Sequence, residues 1–201
     1  NFRQVMDERK ILLVNLSKGK IGDLNANLLG MVVVGKILMA ALSRVDIVDE
    51  KKRRDFNLYI DEFQNFTTDS ISTILSEARK YRLNLTIAHQ FVAQLTEKIR
   101  DAVFGNVGSI VAFRVGAQDA EFLVKQFEPV FNENDLINID NFNALVKILI
   151  NGQTSKPFNM KTLAPENGNE ELAGEIKQFS RLKYGHDRQE VEEEVLKRLR
   201  S

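Results

Sequence analysis

Residues 58–62 read Leu58-Tyr59-Ile60-Asp61-Glu62, an apolar run that stops at two adjacent carboxylates. A strand delivering acids at its carboxyl end places them on the edge where open α/β sheets bind ligands. The spacing predicts that strand over about 57–60. Downstream, Ile71, Ile74, Leu75 and Ala78 recur at helical intervals within 69–81, with Asp69 or Ser70 available as a cap. A further strand follows at about 84–88. Two strands separated by a helix of that length form a βαβ crossover, hence parallel neighbours or near neighbours in one sheet.

The pattern extends in both directions. Residues 11–16 (ILLVNL) read as a strand buried on both faces, ended by the polar turn SKGKIG. Asp23 can cap the next segment, where Leu24, Leu28, Met31, Gly35, Leu38 and Leu42 recur every four and three residues. This predicts a helix on the sheet, with Gly30 and Gly35 permitting close packing. Its apolar stretch over 28–42 is broken by Lys36 and falls short of the roughly 20 residues that span a bilayer, so a buried helix is expected. The charge run 49–55 (DEKKRRD) is expected to be a solvated turn.

Towards the carboxyl end, 99–104 and 119–126 read as helices and 109–113 as a strand. Pro129 and the Asn/Asp-rich stretch 132–141 interrupt them with loops and a short helical turn. Segments 144–150 and 158–163 read as two final strands. Gly152 suits a hairpin turn between them, and Pro157 favours an edge or a strand start. Residues 1–164 are therefore expected to form an α/β domain and 165–170 (PENGNE) a linker. The expected charged helical tail, 171–201, carries apolar positions at Leu172, Ile176, Phe179, Val191, Val195 and Leu199.

Composition narrows the classes. The 201 residues are 43% hydrophobic and 28% charged, enough for a substantial core. Twenty-eight Lys/Arg balance twenty-eight Asp/Glu, so bulk charge gives no argument for a nucleic-acid partner and only a local basic patch could serve. Cysteine is absent, which excludes disulfides and thiolate metal ligands and fits a reducing compartment. The opening NFRQVMDERK carries charge where a secretory signal needs an apolar core. His89 and His186 have no local metal-ligand cluster, so neither is expected to hold a metal.

At a strand end, one acid can organise magnesium and its waters while the next orients or deprotonates an attacking water. A regular strand would point Asp61 and Glu62 to opposite sides, which suits distinct roles. Arg79 lies near a helix end, and Gln90, just past the next strand, can both donate to phosphate and accept from water. A surface ion pair for Arg79 and a strand-end cap for Gln90 are the plainer alternatives. Phe63, Phe66 and Phe91 flank this edge and could stack on a base, but core packing or loop anchoring is the favoured reading for them. Core is likewise expected for Phe113, Phe122 and Phe127.

This order of parts resembles the carboxyl-terminal part of the RecA-type motor domain in the HerA/FtsK superfamily. More narrowly, it resembles the TraD/TraG-type coupling proteins of conjugative type IV secretion. The likeness covers most of 8–163, through ILLVNLSKGKIG, LYIDEFQNF, SEARKYRLNLTIAHQF and GSIVAFRVG. It implies a mostly parallel RecA-like P-loop NTPase sheet and a ring-forming, hexameric ATPase that uses ATP with Mg2+ to drive DNA through a central channel. Secretion-system components would be its partners. It implies the Walker B roles for Asp61, which would hold Mg2+, and for Glu62. Arg79 would be the arginine finger for a neighbouring subunit, Gln90 a nucleotide sensor, and Arg114 a phosphate or interface contact. The family's GxxxxGK[ST] loop does not occur here: neither Gly19-Lys20-Ile21-Gly22 nor Gly35-Lys36 supplies its spacing. The chain is therefore expected to be the later part of a larger cytoplasmic protein, inactive on ATP alone, whose membrane anchor would lie outside it. Other readings are a noncatalytic assembly or substrate-recruitment module, a HerA-like ATPase, or a protein-translocating ATPase.

Overall fold

Alternation along two short segments decides the first pairing. Phe56–Ile60 (β1) and Leu83–Ile87 (β2) pair in parallel, Phe56 opposite Leu83 and Ile60 opposite Ile87. Phe56, Leu58, Ile60, Leu83, Leu85 and Ile87 fall on the face that packs into a core, while Asn57, Tyr59, Asn84 and Thr86 face solvent. The parallel register is the one expected of a βαβ unit. The computed structural model describes residues 1–67 and 75–200. Positions 69–74 of the expected crossover helix, with Asp69, Ser70, Ile71 and Ile74, lie outside the described residues. Residues 75–77 are helical, and Ala78–Tyr81 form a 3-10 turn leading into β2.

The chain divides into two compact units, Asn1–Thr162 and Leu163–Ser201. The first begins with helix α1, Phe2–Asp7, whose backbone N–H groups at Arg3 and Gln4 donate to the Asn1 side chain. A short helix α2, Lys18–Ile21, precedes α3, Asp23–Leu42. Gly22, with φ at 81°, takes the cap position expected of Asp23, which is instead the first helical residue. The core face of α3 is Ala26, Gly30, Val34, Ile37, Leu38 and Ala41. The expected face is thereby rotated: Leu24 and Leu28 are exposed and only Leu38 of that set is fully buried. Small residues at 26 and 30 decide the rotation, because they let neighbouring groups approach closely. A Cβ on Gly30 would sit 2.2 Å from the Phe66 ring, whereas one on Gly35 would meet nothing within 4 Å. With the turn that follows, Asp23–Asp46 is long and apolar enough to cross a membrane by length and composition, longer than 28–42 alone implied. Its inner face packs with Met6, Ile60, Phe63, Leu83, Ile99 and Val103, as a core helix does.

Two expectations about the flanks fail. Residues 11–16 form no strand: no ladder reaches them among the described residues, and Ile11 is 90% and Leu13 83% exposed. Strand-like composition cannot make a strand without a neighbour to complete its hydrogen bonds. In the charge run, Arg53 turns inward. It donates to the carbonyls of Lys80 at 2.6 Å and Ile47 at 3.1 Å, and its guanidinium lies 5.5 Å from the centre of the Tyr81 ring.

The rest of the first unit builds a second core. Helices α4 (Glu97–Asn106), α5 (Ala117–Phe127) and α6 (Glu133–Ile137) accompany strands β3 (Ile110–Ala112), β4 (Asn143–Lys147), β5 (Leu149–Ile150), β6 (Gln153–Thr154) and β7 (Phe158–Lys161). Strands β3, β4 and β7 form an antiparallel sheet in that order, and β5 and β6 an antiparallel hairpin. The expected mostly parallel sheet is thus corrected: among the described residues, parallel pairing is confined to β1 and β2. The reversal is made at Asn151 and Gly152, both with positive φ (49° and 81°), the backbone a two-residue hairpin turn requires. The strand expected over 144–150 is split at Ile148, whose N–H donates to the Ser155 hydroxyl at 3.1 Å. Val92, Ala112, Ala120, Leu123, Phe127, Leu136 and Leu145 fill the core. Phe127 is fully buried, and Phe122 meets Phe104 edge to face at 4.8 Å; Phe113, expected inside, is 53% exposed because it follows the last residue of β3.

The second unit contains α7 (Glu170–Tyr184), capped by the Asn169 side chain, and α8 (Arg188–Arg200). Pairs such as Arg188 with Glu192, four residues apart, line α8, and the side chains of both helices are exposed.

Candidate functional site at the carboxyl end of the parallel strands

Strand β1 and its partner continue their pairing just past their ends. The Ala88 N–H donates to the Ile60 carbonyl and the Phe63 N–H to the Ala88 carbonyl, both at 2.9 Å. Those two bonds draw residues 61–62 beside 89–90. Fully buried Phe63 anchors the 3-10 turn Phe63–Phe66 from below. Between strand and turn, Glu62 adopts a left-handed backbone conformation, φ 49° and ψ 46°. The strand is therefore not regular at its acids, and the regular alternation on which opposite projection of Asp61 and Glu62 depended ends before Glu62. A non-glycine residue in that region costs about 1 kcal/mol.

Three groups converge on the Glu62 carboxylate. Gln64 Nε2 donates to Oε2 at 2.6 Å and Gln90 Nε2 donates to Oε1 at 2.5 Å. The hydrogen bond from Gln64, then that from Gln90, and the positive charge of Lys18 hold the Glu62 carboxyl below the usual carboxylate range. Lys18 Nζ also donates to Asn65 Oδ1 at 3.3 Å. Asp61 is exposed, and its Oδ1 accepts from the Glu62 N–H at 2.9 Å. The result is an ionised glutamate fixed by two amides beside an open aspartate.

The structure brings Asp61, Glu62 and Gln90 together. Arg79 stands apart, on the turn before β2 and so at the amino end of the strand that carries Gln90 at its carboxyl end. Five strand residues intervene, about 16 Å. There Arg79 lines an exposed surface groove with Glu50, Asp55 and Arg82. Arg114 follows β3, where its Nη2 donates to Asn141 Oδ1 at 3.1 Å. Phe63 is core, Phe66 packs on Gly30 and Phe91 is exposed.

Sequence reasoning missed Gln64, Lys18 and Asp119. Gln64 lies within LYIDEFQNF, two residues past Glu62, and Lys18 within SKGKIG, so the signal that could have found both was their place in the segments that form the site. Asp119 is buried on α5, with Oδ1 and Oδ2 at 3.2 and 3.1 Å from the Val92 nitrogen. Burial pushes nearby His89 below the usual imidazole range, with the Asp119 charge opposing.

The donor set fits part of a magnesium–nucleotide site. Mg2+ is commonly held by one or two carboxylates together with substrate phosphates, and exposed Asp61 can be such a ligand. Among the described residues there is no group of three His, Cys, Asp or Glu able to hold a metal by themselves. A glycine-rich phosphate cradle is likewise missing from the sequence.

Residues 55–127 match the family described as the TraM recognition site of TraD and TraG. No curated protein matches the chain in sequence. Among solved structures, the bacterial conjugative coupling protein TrwBdeltaN70, in an unbound monoclinic form, aligns with a TM-score of 0.57 at 15% identity. The alignment covers 74% of this chain and 39% of that one. VirB4 of Thermoanaerobacter pseudethanolicus aligns with a TM-score of 0.44 at 18% identity, covering 64% of this chain and 37% of that one. The chain thus spans well under half the length of either. The likeness to TrwBdeltaN70 is one of fold. The matched segment contains both parallel strands, Asp61, Glu62, Arg79 and Gln90, and over it the chain is similar to that part of TraD and TraG.

Proposed function

We propose that the chain is part of an ATP-driven motor that moves DNA in a type IV secretion system, supplying its acidic catalytic edge. The observation that carries this reading is the Glu62 carboxylate, held ionised between Gln64 and Gln90 beside Asp61. Bound Mg2+ would neutralise phosphate charge, with Asp61 the residue that holds it. Glu62 orients the attacking water and serves as its proton acceptor; its two amide partners fix its direction, and because they favour the ionised form they make it a weak base whose main part is orientation. Gln90 ties that carboxylate to the end of β2, and its free carbonyl oxygen can accept from the same water. The phosphate cradle comes from another part of the parent protein, so turnover belongs to the parent. A subunit ring with Arg79 facing a neighbour's site, and the inner face of the cell membrane as location, complete the reading.

In the full-length protein, Glu62→Gln keeps the shape of the side chain and removes the base. Nucleotide binding should persist while DNA-dependent turnover falls by about 10²-fold or more. Unchanged turnover rejects the assignment.

A second reading is favoured by the family description itself. The matched segment would then be a recruitment surface for a TraM-like protein. On that reading, partner binding survives Glu62→Gln and Gln90→Ala together, and no DNA-dependent turnover appears in the intact protein.

A further inference from the structure

We infer that Asp119 is a positioning residue, which aims Gln90 at Glu62 by pinning the backbone two residues further on. Its importance for catalysis rests on the motor reading; its geometry does not.

Gln90 is exposed, so packing does not hold its side chain; the backbone that carries it must supply the aim. That backbone leaves β2 at Ile87 and enters a 3-10 turn at Val92–Gln94. Val92 is buried among Ala120, Leu123 and other side chains of the second core, whereas β1 and β2 pack in the first. The segment 88–91 thus spans from one core to the other with Gln90 in its middle. At its far end the Val92 N–H faces both oxygens of Asp119, at 3.2 and 3.1 Å.

Asp119 is 6% exposed, and a carboxylate so placed is costly unless hydrogen-bonded. It is the third residue of α5, where the helix N-terminus favours negative charge. The α5 cap residue is Gly116, which has no side chain to offer, yet Asp119 turns out of its own helix to a backbone group 27 residues earlier. Two residues of chain reach at most about 7 Å, so fixing Val92 confines Gln90 closely. The resulting series runs from α5 through Asp119, Val92 and Gln90 to Glu62. Movement of α5 would therefore be felt at the Glu62 carboxylate.

The test uses the 201-residue chain without nucleotide, reading Val92 amide exchange and the Gln90 side-chain amide resonances by NMR. Asp119→Asn keeps the shape and a weaker, neutral acceptor. It should raise Val92 exchange severalfold and move the Gln90 resonances part of the way towards those of Gln90 in a Glu62→Ala chain. Asp119→Ala should raise exchange about tenfold or more and complete that move, with the Phe104 and Phe122 ring signals unchanged as evidence of an intact second core. Gln90 resonances that stay at their wild-type positions in folded Asp119→Asn or Asp119→Ala overturn the inference, whatever Val92 does. If they move as expected but Glu62→Gln leaves turnover of the full-length protein unchanged, the positioning stands and the motor reading falls.

Discussion

Gln90 Nε2 donates to Glu62 Oε1 across 2.5 Å, joining the carboxyl ends of two parallel strands through side chains 28 residues apart. The bond favours the ionised glutamate, as does the one from Gln64. With its folded pKa depressed, Glu62 contributes stability that is present above its ordinary value of 4.5 and lost as pH falls through the lower folded value. Titration of the Glu62 side-chain carboxyl carbon by NMR should have its midpoint below 4.5. Gln64→Ala should raise it most, Gln90→Ala less and Lys18→Ala least. A wild-type midpoint at or above 4.5 contradicts the arrangement.

Gly30 is where α3 meets the turn that follows the acids. A methyl group there would lie 2.2 Å from two Phe66 ring carbons and 3.0 Å from Leu16 Cδ1. Gly30→Ala gains about 1 kcal/mol of helix propensity but overpacks the contact by roughly 1–3 kcal/mol. Urea denaturation should show net destabilisation, relieved when Phe66→Ala is combined with it. Gly35→Ala, which meets nothing, should stabilise by about 0.5–1 kcal/mol.

Arg44 is fully buried, and its Nη1 donates to the carbonyls of Arg54 at 2.8 Å and Tyr81 at 3.0 Å. Its Nε lies 3.2 Å from Asp7 Oδ1, an ion-pair distance without hydrogen-bond alignment. Burial lowers its pKa and the Asp7 charge opposes that shift. Arg44→Ala leaves two carbonyls without their donor while Asp7 keeps its ion pair with Arg3, so chemical denaturation should show a loss of about 1–3 kcal/mol. Arg44→Lys, with one charge and no fork, should fall between. A loss below about 1 kcal/mol for alanine would mean that water replaces the guanidinium without penalty.

What the sequence discloses follows from the range of the forces involved. The parallel pair is legible in LYIDE and NLTIA because each apolar run ends abruptly in polar residues, and the hairpin is legible in Asn151-Gly152, whose turn chemistry is local. The buried face of α3 is not, since apolar residues occur all round it and periodicity cannot choose among them. ILLVNL has a strand's composition but no pairing partner among the described residues, and pairing is a property of two segments. In DEKKRRD, charge predicts solvent, yet Arg53 finds its acceptors at Ile47 and Lys80, the latter 27 residues away. At the site, the residue types Asp61, Glu62 and Gln90 announce themselves, whereas Gln64 and Asp119 do not. Their roles arise from a left-handed turn at Glu62 and from a contact across 27 residues.

Arg79 sits at the amino end of β2, the far end of the strand from Gln90, so it has no short route to the Glu62 of its own chain. A finger role requires that it serve an adjoining subunit, and this can be separated from a purely structural role. On the proposed reading of the full-length protein as a subunit ring, Arg79→Ala rings and Glu62→Gln rings should each lose turnover, the former by about 10³-fold or more. Mixed rings then contain interfaces where Glu62 of an Arg79→Ala subunit meets Arg79 of a Glu62→Gln subunit, and turnover should rise above that of either parent. Mixing wild-type-like recovery into rings built only from the double variant is impossible, which makes that preparation the control. An Arg79→Ala protein with undiminished turnover would leave the arginine to its groove with Glu50 and Asp55, as an ordinary surface charge.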